Sequence, residues 1–231
     1  AAFSGAFAPA SDLAPAPAPV LAPAPAPDRI EPGDRVFLSG DIGRHGVAIL
    51  ATRVGLEFET PVESDVDWIG PQVDRLMDAV GPDALHAMRD PTRGGLATVV
   101  KELALAAQVA VVLDEAAIPV LPEVAAAAEW LGLDPLYLSC EGRFVAFVAA
   151  NKAAAAQDAG LVEIGQVLPP PAAPSGQSGR SATRSTVESM TRSRARPSGS
   201  IARPGQVLLR TRLGAHRPLE LLPGAPLPRI C

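Results

Sequence analysis

The alternation of extended and helical segments predicts an α/β or α+β fold. Two observations carry that expectation. Short apolar runs, often β-branched, such as Arg35–Ser39 and Val109–Leu113, alternate with Ala- and Leu-rich stretches of helical period, such as Leu96–Gln108. Glycine or proline stands at most of the junctions between them. The order of strands in the sheet does not follow from this pattern.

The chain has 231 residues, a length that allows one or two domains. Its 25 prolines are clustered and reduce that number to one. Residues 1–28 are dominated by an Ala-Pro repeat and read as an extended, semi-rigid linker. Residues 168–205 are rich in Pro, Ser, Arg and Thr and read as a disordered insertion, because they hold too few apolar side chains to offset the entropy of ordering. A single domain over 29–167 remains, completed by a final strand and a tail over 206–231.

The net charge of -5 argues against a dedicated nucleic-acid binder. The insertion is locally basic, through Arg180, Arg184, Arg192, Arg194, Arg196 and Arg203. A solvated loop is the plain reading of that stretch, with nucleic-acid contact as the alternative. The two cysteines, Cys140 and Cys231, form no secreted-type disulfide framework and no paired zinc motif, so a cytoplasmic location is expected. No apolar run approaches the ~18 residues that span a bilayer, and the first residues show no signal-peptide pattern. The chain opens on Ala1 rather than Met, consistent with a fragment or a processed form.

The elements follow in order. Asp28–Gly33 is a turn and Arg35–Ser39 a buried strand. Gly40, Gly43 and Gly46 then form a loop, with a helix from Val47. Pro71–Val80 has helical spacing, Ala84–Met88 is a strand, and Leu96–Gln108 is a helix with Lys101 and Glu102 on its wet face. Val109–Leu113 is a strand, Leu121–Leu131 a helix stopped at Gly132, Phe144–Ala149 a strand, and Asn151–Ala159 a helix stopped at Gly160. Glu163–Val167 and Val207–Thr211 look like paired strands separated by the insertion.

Four segments have the residue types for chemistry. In Gly40–Gly46, a strand, a glycine loop and a helix expose backbone N–H groups; tight turning alone also explains the glycines. His45, flanked by a loop, is expected at the surface, where it can donate to a phosphate or move a proton near neutral pH. In Asp90-Pro91-Thr92-Arg93-Gly94-Gly95, the first two residues suit a helix cap and first turn. Capping leaves Arg93 beside two glycines unexplained, and an arginine fork at a helix N-terminus suits an anion. Both readings are open from the residues. Glu141, between two apolar stretches, is either a turn residue or a carboxylate in a cleft able to act as a base. Cys140 beside it reads as a small buried residue. Finally, Cys231 is the last residue, which excludes a prenylation box. Its thiolate on a tail stiffened by Pro223, Pro226 and Pro228 can serve as nucleophile or carrier.

Taken together, these segments resemble the C-terminal half of the HypE family of hydrogenase maturation proteins, in the superfamily of aminoimidazole ribonucleotide synthetases. The resemblance rests on Gly40–Gly46 (Gly-x-x-Gly-x-His-Gly), on Arg89–Ala97 (Arg-Asp-Pro-Thr-Arg-Gly-Gly-Leu-Ala), on Ile118–Val120 with Leu131–Leu136, and on the terminal Pro228-Arg-Ile-Cys231. The family pattern differs at three places: it has Asn and Lys where this chain has Cys140 and Arg143, Asp where it has Arg44, and no counterpart of the insertion. The resemblance implies a mixed sheet with helices packed on it and a flexible C-terminal tail. It implies ATP-dependent dehydration of a carbamoyl group on Cys231 to a thiocyanate, with Glu141 as base and His45, Gly46, Asp90, Thr92, Arg93, Gly94 and Gly95 lining the nucleotide cleft. ATP and Mg2+ would be held mainly by an N-terminal half not present in these residues. Implied partners are a carbamoyltransferase of the same pathway and scaffold proteins that accept cyanide for the iron of a nickel-iron hydrogenase, with a homodimer also possible. Alternatives are a non-catalytic carrier and partner-binding module, or a relative that makes selenophosphate or aminoimidazole ribonucleotide.

Overall fold

Alternation along the first strand sets the architecture. In β1 (Arg35–Leu38), Val36 and Leu38 point into one apolar cluster and Phe37 into another, so both faces of the strand are covered. The computed structural model describes residues 24–55, 62–170 and 202–221. Around β1 are β2 (Leu85–Arg89), β3 (Ala110–Asp114), β4 (Val145–Val148), β5 (Val162–Leu168), β6 (Val207–Arg210) and β7 (His216–Leu219). They form one sheet in the order β2-β4-β1-β5-β3-β6-β7. Every pairing is antiparallel except β3 with β6.

Helix α3 (Gly95–Ala107) contributes Leu96, Val99, Val100 and Leu103 to the larger cluster, with Val111, Leu113, Val145 and Phe147 from the sheet. On the other face, α2 (Gly70–Val80) and α5 (Ala153–Asp158) bury Leu76, Val80 and Ala156 against Phe37, Phe144 and Val148. A third cluster joins α1 (Arg44–Val54) to α4 (Pro122–Leu131) through Val47, Val124, Ala127, Ala128 and Leu138. The mixed sheet with helices on it is the fold the sequence implied.

Several expectations are corrected. The strands read as a pair, β5 and β6, do not touch each other: β3 lies between them, antiparallel to β5 and parallel to β6. An additional edge strand, β7, pairs with β6. Helix α1 starts at Arg44, not Val47, because Gly43 adopts φ +87 and caps it. His45 therefore lies in the first helical turn and is only 9% exposed, not on a surface loop. Asn151 and Lys152 belong to a 3-10 turn before α5. Lys101 is buried rather than wet, its side chain 10% exposed and paired with Glu220 at 3.0 Å. Ala202 and Gly205, read as the end of the insertion, are buried, and the Gly205 N–H donates to the Val109 carbonyl at 2.8 Å. The Ala-Pro repeat through residue 23, the insertion over 171–201 and the tail from 222 to Cys231 lie outside the described residues.

Candidate active site

The segment Leu138–Glu141 is where the sequence motifs meet. From the first glycine loop, the Gly46 N–H donates to the Ser139 carbonyl at 3.1 Å and the Gly43 N–H donates to Cys140 Sγ at 3.4 Å. From the second loop, the Pro91 carbonyl accepts the Cys140 N–H at 3.1 Å. Gly95 has φ +63, and a Cβ there would lie 2.5 Å from the Leu138 carbonyl oxygen and 2.6 Å from that of Leu136. Only glycine allows this approach of backbone to backbone. Two loops about fifty residues apart in the chain are thus stitched to one strand-like segment.

Glu141 and His45 face each other across this seam, His45 Nε2 lying 4.0 Å from Glu141 Oε1. Their side chains are 27% and 11% exposed. That partial burial suits a carboxylate that must exchange a proton with a substrate yet stay out of bulk water. A third segment, not identified from sequence, holds both. Ser64 Oγ lies 2.9 Å from His45 Nδ1, and Asp65 Oδ1 accepts the Glu141 N–H at 3.2 Å. Asp65 is 2% exposed, and its other oxygen has no hydrogen-bond partner among the described residues. Gly142 passes so close to the Asp65 carbonyl that a Cβ would overlap it. In sequence Ser64-Asp65 is an ordinary turn pair; its role depends on contact with a residue 76 positions away.

Asp90 does not cap α3: the N-cap is Gly94, in the left-handed region with φ +72, and no side chain caps the helix. The capping alternative therefore fails. Asp90 and Arg93 are exposed, Thr92 is half-buried, and their side chains have no ion pair among the described residues. They are placed beside the seam through Pro91 and Gly95. Cys231 lies outside the described residues.

The substituted positions have their own logic. Arg143 donates to Asp41 Oδ1 at 2.7 Å and Arg44 donates to Asp41 Oδ2 at 2.7 Å, so two of the three residues that depart from the family pattern share one carboxylate. Burial alone would raise the Asp41 carboxyl, but the hydrogen bond and charge of Arg143, with Arg44, hold it below the usual carboxylate range. The third, Cys140, is fully buried, and burial pushes its thiol up to about 12. Burial disfavours the thiolate, the form a nucleophile needs, so the side chain serves packing.

A cavity of about 370 Å³ opens elsewhere, over β5, β3 and β6. Its charges are already matched: Arg35 pairs with Glu163 at 3.3 Å and with Gln166 at 2.6 Å, and Arg210 pairs with Asp114. It holds none of the motif residues, so the seam is the better candidate. No group of three or more His, Cys, Asp or Glu side chains that could hold a metal occurs among the described residues. No described helix is long and apolar enough to cross a membrane.

The family described as AIR synthase related protein, C-terminal domain, matches residues 31–172. The chain belongs to this family. Within it, the chain is 43% identical over 203 residues to the carbamoyl dehydratase HypE of Cupriavidus necator, covering 87% of this chain and 50% of that protein. A crystal structure of the hydrogenase maturation protein HypE in complex with ATP superposes with a TM-score of 0.72 at 35% identity, over 90% of this chain and 55% of that one. A crystal structure of a HypE-HypF complex contains a chain with TM-score 0.67 and 28% identity, over 85% of this chain and 55% of that one. The chain thus spans about half the length of the HypE proteins it matches, as their C-terminal half.

Proposed function

We propose that this chain is the C-terminal half of a carbamoyl dehydratase of nickel-iron hydrogenase maturation, with Cys231 as carrier and Glu141 as base. The observation that carries this reading is the seam: both glycine loops of the HypE pattern are hydrogen-bonded or packed onto the segment that holds Glu141, and His45 faces that carboxylate. The HypE-ATP complex supports ATP as the phosphoryl donor.

The chemistry follows from the groups present. A partner carbamoyltransferase places a carbamoyl group on the Cys231 thiol. The γ-phosphoryl group of ATP moves to the amide oxygen, which turns a poor leaving group into phosphate. One N–H proton is lost to solvent as the phosphorylated amide becomes a neutral imidate. Glu141 takes the second proton from the same nitrogen, the C–O bond to phosphate breaks, and a C≡N bond remains on sulfur as thiocyanate. His45 keeps the Glu141 carboxylate oriented, while Asp65 and Ser64 hold the pair from behind. In this reading Arg93, Thr92 and the Asp90–Gly95 backbone take phosphate oxygens. The Gly46 N–H is already donated to the Ser139 carbonyl and His45 faces Ser64 and Glu141, so the first loop serves the carboxylate rather than the phosphate. Mg2+ and most nucleotide contacts belong to a part of the protein outside these residues. The partner implied by the HypE-HypF complex is the carbamoyltransferase; cyanide-accepting scaffold proteins, a homodimer and a cytoplasmic location complete the proposal. For these residues taken alone, the half-length span favours a second reading, a carrier and partner-binding module that hydrolyses no ATP itself.

Mass spectrometry tests this directly. With an active carbamoyltransferase, ATP and carbamoyl phosphate, one carbamoyl group should appear on Cys231 and none on Cys140, and Cys231→Ala should abolish it. With the upstream half present, the adduct should lose one water, and Glu141→Gln should slow that loss without touching the carbamoylation. A carbamoyl group on Cys140, or none on either thiol, would sink the reading.

A further inference from the structure

One carboxylate ties together the two chain segments that carry His45 and Glu141. Asp41 Oδ1 accepts from Arg143 Nη2 at 2.7 Å, and Asp41 Oδ2 accepts from Arg44 Nε at 2.7 Å. Arg44 directly precedes His45, and Arg143 follows Glu141 by two residues. Arg143 also donates from Nε to the Asp41 carbonyl at 3.1 Å and from Nη1 to the Gly142 carbonyl at 2.8 Å. It lies so close over Gly40 that a Cβ there would be 2.6 Å from its Nε. All three side chains are mostly buried, so their attraction is screened far less than that of a surface pair. On the N-terminal side of Glu141, Gly46 and Gly43 close the seam by bonding Ser139 and Cys140. The Glu141 N–H is held by Asp65 Oδ1. On the C-terminal side, the link back to the His45 loop runs through Arg143 and Asp41, next to the paired backbones of Ser39 and Phe144.

We propose that Asp41 is a positioning residue: through Arg44 and Arg143 it holds the His45 and Glu141 segments together and keeps the Glu141 carboxylate aimed at the substrate amide. The inference rests on Glu141 being the base of the proposed dehydration. Fastening one loop would take one arginine. Asp41 instead presents one oxygen to each segment, which cross-links them on the side of Glu141 that the glycine loops leave open. The two guanidinium groups are like charges brought to one point, and without the carboxylate between them they repel. A base has to lie within hydrogen-bond reach of the proton it takes. Misplacing it by about 1 Å can cost about a hundredfold in rate, even when the substituted residue touches no substrate.

The test is a double-mutant cycle on the dehydration of carbamoylated Cys231, in the protein carrying its upstream half. Asp41→Asn keeps the shape of the side chain and removes its charge. It should slow dehydration about tenfold, while the KM for ATP and the carbamoylation of Cys231 stay as in wild type. Unchanged hydrogen exchange at the Val111 N–H, which donates to the Gln206 carbonyl in the sheet, certifies the fold of the variant. In a Glu141→Gln background the same substitution should slow the residual reaction by less than about twofold, because the group it aims is gone. Arg143→Lys keeps the charge and loses the fork, so it should show the same dependence on Glu141 with a smaller factor, and it carries the test if Asp41→Asn does not fold. No slowing in the folded variants, or equal slowing in both backgrounds, overturns the proposal. Failure of the underlying reading registers separately, as a Glu141→Gln protein that dehydrates at the wild-type rate, and that outcome removes the proposal as well.

Discussion

The Cys140 sulfur sits behind the seam with the Gly43 N–H on it and its own thiol directed at the Leu138 carbonyl, 3.8 Å away. Desolvation is the main cause of its raised pKa, from 9.0 to about 12. A group whose folded pKa lies above its unfolded one holds its proton more tightly when folded. Its contribution is therefore full below about pH 9 and is lost as pH rises toward about 12. Across that window the loss approaches roughly 1.4 kcal/mol per pH unit. Urea denaturation at pH 8.5 and 10.5 should show the wild type losing about 2 kcal/mol more than Cys140→Ala. Equal losses in the two proteins would mean that the thiol is not buried in solution. At this scale the sequence was an uneven guide. Glu141 and Cys140 could be read from the apolar stretches on either side, and Cys140 proved buried as expected. His45 was misplaced because the helix start depends on Gly43 in the left-handed region, which residue type permits but does not dictate. Ser64 and Asp65 left no signal, since their partners are far away in the chain.

Between elements, glycine decides how close the two loops can come. Gly95 and Gly33 both have positive φ, at +63 and +97, but only Gly95 faces backbone; around Gly33 nothing lies within 4 Å of a would-be Cβ. Gly33→Ala should therefore cost about 1 kcal/mol, the left-handed penalty alone. Gly95→Ala adds overpacking against two carbonyl oxygens and should cost about 2–4 kcal/mol in all. Denaturant titration that ranked the two variants equal would mean the loop can withdraw from Leu138 without penalty. The element pattern was legible where period and punctuation agree, as in α2, α3, α4 and β3. Where the partner is set by tertiary packing it was not: β5 and β6 are separated by β3, which no local pattern encodes. β7 was missed because Pro218 lacks the N–H a central strand needs, and it is tolerated here at the sheet edge opposite Leu208.

For the whole molecule, the quantity that decides the proposed nucleotide site is how much binding energy these residues can supply. Arg93 is an exposed guanidinium, and exposed charge pairs are worth about 0–1 kcal/mol. The N-terminus of α3 adds about 0.3–1 kcal/mol for an anion at its first turn. Arg44 and Arg143 are already engaged with Asp41 and give little more. These contributions total a few kcal/mol at most, whereas micromolar affinity requires about 8.2 kcal/mol. The chain spans about half of the ATP-bound HypE chain it superposes on, and the proposed function places the remaining binding energy in the part not covered. Calorimetry with ATP and Mg2+ should accordingly give no binding tighter than millimolar for this chain, and micromolar binding once the upstream half is joined to it. Arg93→Ala in the joined protein should then weaken ATP by up to about fivefold, as loss of an exposed charge contact of about 1 kcal/mol would. Tight, magnesium-dependent binding by the chain alone would make this domain self-sufficient and leave Asp90–Gly95, rather than an upstream half, as the principal phosphate site.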